Sequence, residues 1–289
     1  MQDTMTTDKQ MTSEQQAQLL QFTKVGLQWV AGQISFDDVI KRLGKPQYQS
    51  EQADLIKYAY YPEDVMSVYF LFDKLHPVDG KPAINAFQVK VGDGVHTNIP
   101  YERFDSLGLQ RLVRGESIDG VRVEQRDFFA PAGIADVSGF YPDNFFGFNF
   151  RLPLPPDSLF DVYAGFGYLG QWKDEHGIPD LSNVRQAVDL RNLGISRHYL
   201  TPEEQEQRRL AKRKKYGDMN LRTGMICPET GYWEAWTENG MTECYVWEKG
   251  YAFNQARSLP VSVQMWSTGV DARWMWRGEY DPEKPFGAS

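Results

Sequence analysis

Apolar residues at Ala17, Leu20, Val25, Leu27 and Val30 recur at roughly helical spacing and predict a helix beginning near Glu14, with Gly26 and Gly32 weakening its end. A second helix is more sharply marked. Ser35 is placed to cap FDDVIKRL, Asp37 and Asp38 fall in its first turn, Lys41 and Arg42 in its last, and Gly44 and Pro46 stop it. Three strand-like runs follow, LIKYAYY (55–61), SVYFLFD (67–73) and AINAFQVKV (83–91), and the Pro, Asp and Gly clusters between them predict a meander. Helical spacing returns at Phe104, Leu107, Leu112 and Val113, then strand-like alternation in VRVEQRDFFA (121–130). This order predicts an α+β fold in which helices cover one face of an antiparallel sheet.

The stretch GFYPDNFFGFNFRLPLPPDSLFDVYAGFGYLGQW (139–172) crowds Phe, Gly and Pro together and predicts irregular structure closing a domain edge. Beyond Gln171 the chain turns polar, and Gly177 and Pro179 mark a boundary near 172–182. Thr201, Pro202 and Glu204 open a polar helix that Gly217 ends. The resulting division is a disordered tail (1–14), an acidic α+β domain (15–175), a polar linker with a helix (176–220) and a small Trp-rich antiparallel β domain (221–289).

Charge narrows the classes of partner. The net charge is -8, with 16 Lys and Arg against 25 Asp and Glu in residues 1–180 and 15 against 14 in the remainder. An acidic first domain disfavours a phosphate backbone and suits a basic protein, so no nucleic acid is expected. The 2 Cys, Cys227 and Cys244, cannot make a disulfide framework and suit a reducing compartment. The start MQDTMTTDKQMTSEQQ lacks the basic-then-apolar signature of a secretion signal, and no apolar run reaches membrane-spanning length. The expectation is a cytoplasmic protein with no membrane partner, homo-oligomerisation staying open.

Motifs with chemistry are few. GFGYLG (165–170) matches a dinucleotide fingerprint, but QWKDEHGIP after it cannot form the helix that would hold a pyrophosphate, so no cofactor is expected. His76, His96, His176 and His198 are scattered without zinc spacing, and His176 beside Asp174 and Glu175 reads as a solvated linker, so no metal is expected either. The basic run from Arg208 to Lys215 falls in the last turns of a helix, where cations are favoured, and reads as a solvated face that could dock on the acidic domain.

Six of the 8 Trp fall between 233 and 276. Asn239-Gly240 is a hairpin signal, and a two-residue type I′ loop there would pair Trp236 with Glu243, Glu234 with Tyr245 and Tyr232 with Trp247. One face would then carry Trp233, Ala235, Cys244 and Val246 as core. The other would carry Tyr232, Glu234, Trp236, Glu243, Tyr245 and Trp247, for which interface and core remain alternatives. A second hairpin is expected to join SVQMW to ARWMWRGEY, with Trp274 and Trp276 on one side of its last strand.

Cys227, Pro228, Thr230, Gly231, Trp233, Pro260, Trp274 and Trp276 resemble the C-terminal module of bacterial immunity proteins encoded beside type VI secretion or polymorphic toxins. In that pattern a Cys-Pro-x-Ser/Thr-Gly-x-Trp turn precedes a hairpin, and a Trp-x-Trp strand ends the domain. The chain departs from it at FNQARSLP, where an Arg, a Gly and an acidic residue would precede the Pro. DDVIKRLGKPQYQS and the strands after it are also similar to small domains associated with bacteriocin immunity. Neither pattern has catalytic residues to carry over.

The resemblance implies a non-enzymatic, cytoplasmic immunity protein that binds a cognate toxin. The expected contacts are Glu234, Trp236, Glu243, Tyr245 and Trp247 in the β domain, with Asp64, Asp73 and Asp79 facing a basic toxin, such as a nuclease, from the acidic domain. The alternatives are an adaptor that loads an effector into a secretion system and a hydrolase working through carboxylates of the first domain.

Overall fold

A computed structural model describes residues 9–111, 117–118, 121–122, 129–131, 144–155, 158–171, 173–176, 180–258 and 268–280. The fold is α+β, and the chain passes from a first compact unit into a second after Tyr199. The pair Ser117–Ile118 and Val121–Arg122 groups with the second unit.

In the first unit, helix α1 (Ser13–Val30) begins at a capping box in which Thr12 and Gln15 satisfy each other's backbone N–H. Just before it, Lys9–Gln10 pairs in parallel with Val95–His96. Order therefore starts before the expected tail ends: residues 9–14 are a bridge and a helix start. Helix α2 (Phe36–Leu43) is capped by Ser35 and Asp38 and ends at Gly44, as its sequence predicts.

The expected meander forms from β1 (Tyr48–Glu51), β2 (Leu55–Tyr60), β3 (Met66–Val78) and β4 (Lys81–Val91). The helical reading of 101–115 is realised as a 3-10 helix over Tyr101–Leu107, and residues 112–116 lie outside the described ones. Of 121–130, only 121–122 and 129–130 are described, both in strands.

A second meander adds β5 (Phe145–Leu152), β6 (Phe160–Leu169) and β7 (Asp189–Tyr199), with the short helix α3 (Leu181–Arg185) between the last two. Strand β7 pairs with β4, which joins the meanders into a nine-stranded antiparallel sheet that also takes in Gln110–Arg111 and Phe129–Pro131. Two sequence expectations are corrected here. The Phe/Gly/Pro stretch is mostly regular where it is described: it forms β5 and β6 with irregular chain at 153–155 and 158–159, and GFGYLG is the end of β6 and the residue after it. The polar linker from 176 contains β7, which lies between β6 and β4.

One physical pattern accounts for both. Phe146, Phe148 and Phe150 are buried and alternate with Gly147 and Asn149, so the period of two is intact although its outward positions are small residues instead of charged ones. Register then lines the core side chains into rows. Tyr60, Val68, Val89, Leu193, Phe166 and Phe148 are successive cross-strand partners, and all are buried.

Helix α1 packs on this apolar face. Trp29 meets Phe70 and Phe72 at ring distances of 5.2 and 5.1 Å, and Arg197 donates from Nε to the Val30 carbonyl at 2.8 Å, closing the helix end. Gly26 lets the helix approach, because a Cβ there would lie 2.3 Å from Cγ of Phe87. Gly26→Ala should therefore lower stability by about 1–2 kcal/mol in urea unfolding, overpacking outweighing the gain of about 1 kcal/mol in helix propensity.

The second unit contains α4 (Pro202–Asp218), which starts at the expected Thr201–Glu204 capping box. It also contains a three-stranded sheet of β8 (Gly231–Thr237), β9 (Gly240–Trp247) and β10 (Arg273–Gly278), with β8 in the middle. Trp274 and Trp276 are buried on one side of β10, as expected. Strand β10 pairs with β8, and SVQMW (262–266) lies outside the described residues. The core is Trp233, Trp274 and Trp276 with Phe253, Tyr216 and Leu221, and the Phe253 and Trp274 rings stack at 5.1 Å.

Candidate partner-binding surface

The turn between β8 and β9 determines the surface. Gly240 has φ of 95°, whereas Asn239 is not among the positive-φ residues, so the turn is not type I′. Thr237 pairs with Gly240 and Trp236 with Met241. A bulge follows, after which Ala235 pairs with Glu243, Glu234 with Cys244, Trp233 with Tyr245 and Tyr232 with Val246. This differs by one residue from the expected register, and a one-residue slip exchanges the faces of a strand.

The predicted site is thereby split. Glu243, Tyr245 and Trp247 lie on the face of Trp233, Trp274 and Trp276, whereas Glu234 and Trp236 share the other face with Met241, Cys244, Val246, Arg273 and Met275. Glu243 is buried, and its Oε1 accepts from the Arg257 backbone N–H at 3.2 Å. Burial, then a hydrogen bond to Glu243, pushes the Tyr245 phenol up. Trp247 packs edge-on against Phe253 and Trp274, both at 5.4 Å.

On the opposite face Glu234 is only 5% exposed and gathers three donors. Arg213 Nη2 donates to Oε2 at 2.7 Å, the Trp236 indole N–H to the same oxygen at 3.0 Å, and Arg277 Nη1 to Oε1 at 3.3 Å. Arg213 also donates from Nη1 to the Trp276 carbonyl at 2.9 Å, and Arg273 Nη2 donates to the Gly217 carbonyl at the same distance, so α4 runs along β10. Lys212 bonds Glu229 and Glu279 and lies 4.7 Å over the Trp276 ring. The basic run is thus not wholly a solvated face: Lys212 and Arg213 fasten α4 to the sheet of its own unit.

The residues that carry the immunity-protein resemblance build this scaffold. The Cys227 thiol and the Trp233 indole N–H both donate to the Glu229 carbonyl, at 3.0 and 3.1 Å, and Thr230 Oγ1 accepts from the Lys249 N–H at 3.0 Å. Gly231 is hemmed in, since a Cβ would lie 2.8 Å from the Gly278 carbonyl oxygen. Pro260 lies outside the described residues. Burial pushes both the Cys227 and Cys244 thiols up, so neither offers a thiolate nucleophile at neutral pH.

The outer face is open to a partner. Trp236 is 41% and Met241 40% exposed, directly opposite one another, with Val246 exposed four pairs along, while Tyr245 is exposed on the other face. Of the sixteen exposed large hydrophobic side chains among the described residues, ten belong to the second unit, which concentrates the sticky surface there. Sequence reasoning missed Met241, Val246, Arg213, Arg273 and Arg277. The available signal was that Glu234, on an otherwise apolar face, needed cations.

The three first-unit acids do not form one patch. Asp64 (φ 56°) precedes β3, and Asp79, with Gly80 also at positive φ, follows the far end of that thirteen-residue strand. Asp73 accepts from the backbone N–H groups of Leu75 and His76, and its hydrogen bond with the His76 ring, the largest cause, holds its carboxyl below the usual range. No helix among the described residues is long and apolar enough to cross a membrane, and no group of three metal-ligating side chains converges among them.

These positions separate two Trp substitutions. Trp247→Ala should cost up to about 3 kcal/mol in denaturant unfolding, the low end for truncating a packed aromatic, whereas Trp236→Ala should cost less, about 1–2 kcal/mol, because it removes one neutral donor from Glu234 and leaves Arg213 and Arg277 in place.

Comparison of the chain with protein-family models, with curated proteins and with solved structures gave no match.

Proposed function

We propose that the chain is a non-enzymatic immunity protein that binds a cognate antibacterial toxin in the cytoplasm and occludes it. The observation that carries this reading is the outer face of β8–β9, where Trp236 and Met241 stay exposed beside the Glu234–Arg213 ion pair that holds the Trp236 ring on the same face. Rigid aromatic anchors with Arg at their border are the composition of binding hot spots. The CPETGYW turn and Trp-x-Trp strand support the family resemblance by providing the platform, and the exposed strip supplies the contact. The acidic surplus belongs to the first unit, with 18 Lys and Arg against 25 Asp and Glu there and 13 against 14 in the second, and would steer a basic region of the toxin.

Co-expression with candidate toxins from the genes that neighbour this one in its source genome provides the test. Cells making both should grow, and those with Trp236→Ala should show weakened protection at unchanged protein level. Equal killing with and without the protein would remove the immunity reading. Binding without protection would favour an adaptor that loads the effector.

A further inference from the structure

Four side chains stand in one row across the second unit. Arg222 bridges Arg273 in antiparallel fashion, Arg273 pairs with Trp236, and Trp236 pairs with Met241. Direct cross-strand partners point to the same side, so the row reads Arg222, Arg273, Trp236, Met241 on one face, and all four are exposed. Like charges directly opposite each other destabilise a sheet. Yet among the described residues neither Arg222 nor Arg273 has a carboxylate within ion-pair distance. Arg273 is oriented by the Gly217 carbonyl at 2.9 Å, a neutral partner, and has no carboxylate partner among the described residues. The only acid of β8–β10 on this side is Glu234, already shared by Arg213, Arg277 and the Trp236 indole.

We propose that this row is a docking site for an acidic protein segment, in which carboxylates meet Arg222 and Arg273 while a neighbouring apolar side chain seats on Trp236 and Met241. The proposal deepens the reading above, on which it rests for the identity of the partner as a protein. It also reverses the charge expected at the contact: the first unit is acidic, but this face selects an anion. Planar guanidinium groups suit carboxylates bidentately, and a thioether beside an indole suits an aliphatic or aromatic anchor. Nucleic acid could use arginine and tryptophan too, but a row with only two arginines neutralises few phosphates and releases few counterions, so the peptide is favoured.

The test uses the full chain and three labelled probes followed by fluorescence anisotropy: a peptide of alternating Glu and Leu, its Lys–Leu counterpart, and a single-stranded oligodeoxynucleotide. The Glu–Leu peptide should bind more tightly than the other two and weaken with added salt. It should lose at least about tenfold in affinity in Arg222→Ala/Arg273→Ala, with Arg222→Lys/Arg273→Lys intermediate and both variants folded by circular dichroism at the assay temperature. Preference for the Lys–Leu peptide or the oligonucleotide, no binding of any probe, or Glu–Leu binding indifferent to the double substitution would overturn the proposal. Co-expression with the toxin distinguishes its failure from that of the immunity reading. Full protection by the double variant would sink the docking row alone, and absent protection with intact Glu–Leu binding would sink immunity alone.

Discussion

Glu234 is a carboxylate buried on the outer side of a three-stranded sheet, and the organisation of the second unit follows from what it takes to keep it there. An unpaired charge at 5% exposure would cost several kcal/mol, and removing the charged partner of a buried ion pair typically costs about 3–5 kcal/mol. Arg213 meets that need from α4, Arg277 from β10, and Trp236 from two residues along its own strand. Because Arg213 also holds the Trp276 carbonyl, satisfying Glu234 brings α4 along β10 and occupies backbone groups of that strand. The same indole hydrogen bond holds the Trp236 ring on the outer face. An anchor fixed in this way loses little side-chain entropy when it is covered.

The cluster also explains why the register is what it is. Slipping β8 by one residue would carry Glu234 into the face of Trp274 and Trp276 and take Trp233 out of it, and on that face Lys212 is already committed to Glu229 and Glu279. The bulge between Ala235 and Trp236 is the local adjustment that lets a non-type-I′ turn coexist with that requirement. Asn-Gly read in isolation favours a two-residue loop at those residues, because nothing local to the turn records the demands of a carboxylate several residues away. The hairpin is therefore legible as a hairpin and illegible in its faces: Glu243 is buried and Trp247 packs on the core, whereas Tyr245, on the same side of the strand, stays exposed.

In the first unit, legibility followed the outward residues. The capped helix after Ser35 and the three-strand meander carry charged or polar residues opposite their apolar ones, and they appear where the spacing puts them. Strands β5 and β6 alternate Phe or Tyr with Gly and Asn, so the turn-forming reputation of glycine masked a strand period that the cross-strand pairs make plain. Strand β7 was hidden differently. DLRNLGISRHY has polar residues at its outward positions and only Leu190, Leu193 and Ile195 deeply buried, which reads as a linker until β4 and β6 flank it.

These two kinds of error bear differently on function. Misreading β5 to β7 changes where the first unit ends, but its acidic surplus persists with the boundary at Tyr199. Misreading one residue of register changes which groups a partner could touch, since Glu243 leaves the surface and the Arg222–Arg273 pair becomes the dominant charge beside Trp236. The residues that carry the resemblance are insensitive to that change. Cys227, Gly231, Trp233 and Trp276 hold the turn and core, and a platform of this kind can present different outer residues to different partners. Specificity in such a protein has to reside in side chains that the core does not require, and on this face those are Arg222, Arg273, Trp236 and Met241.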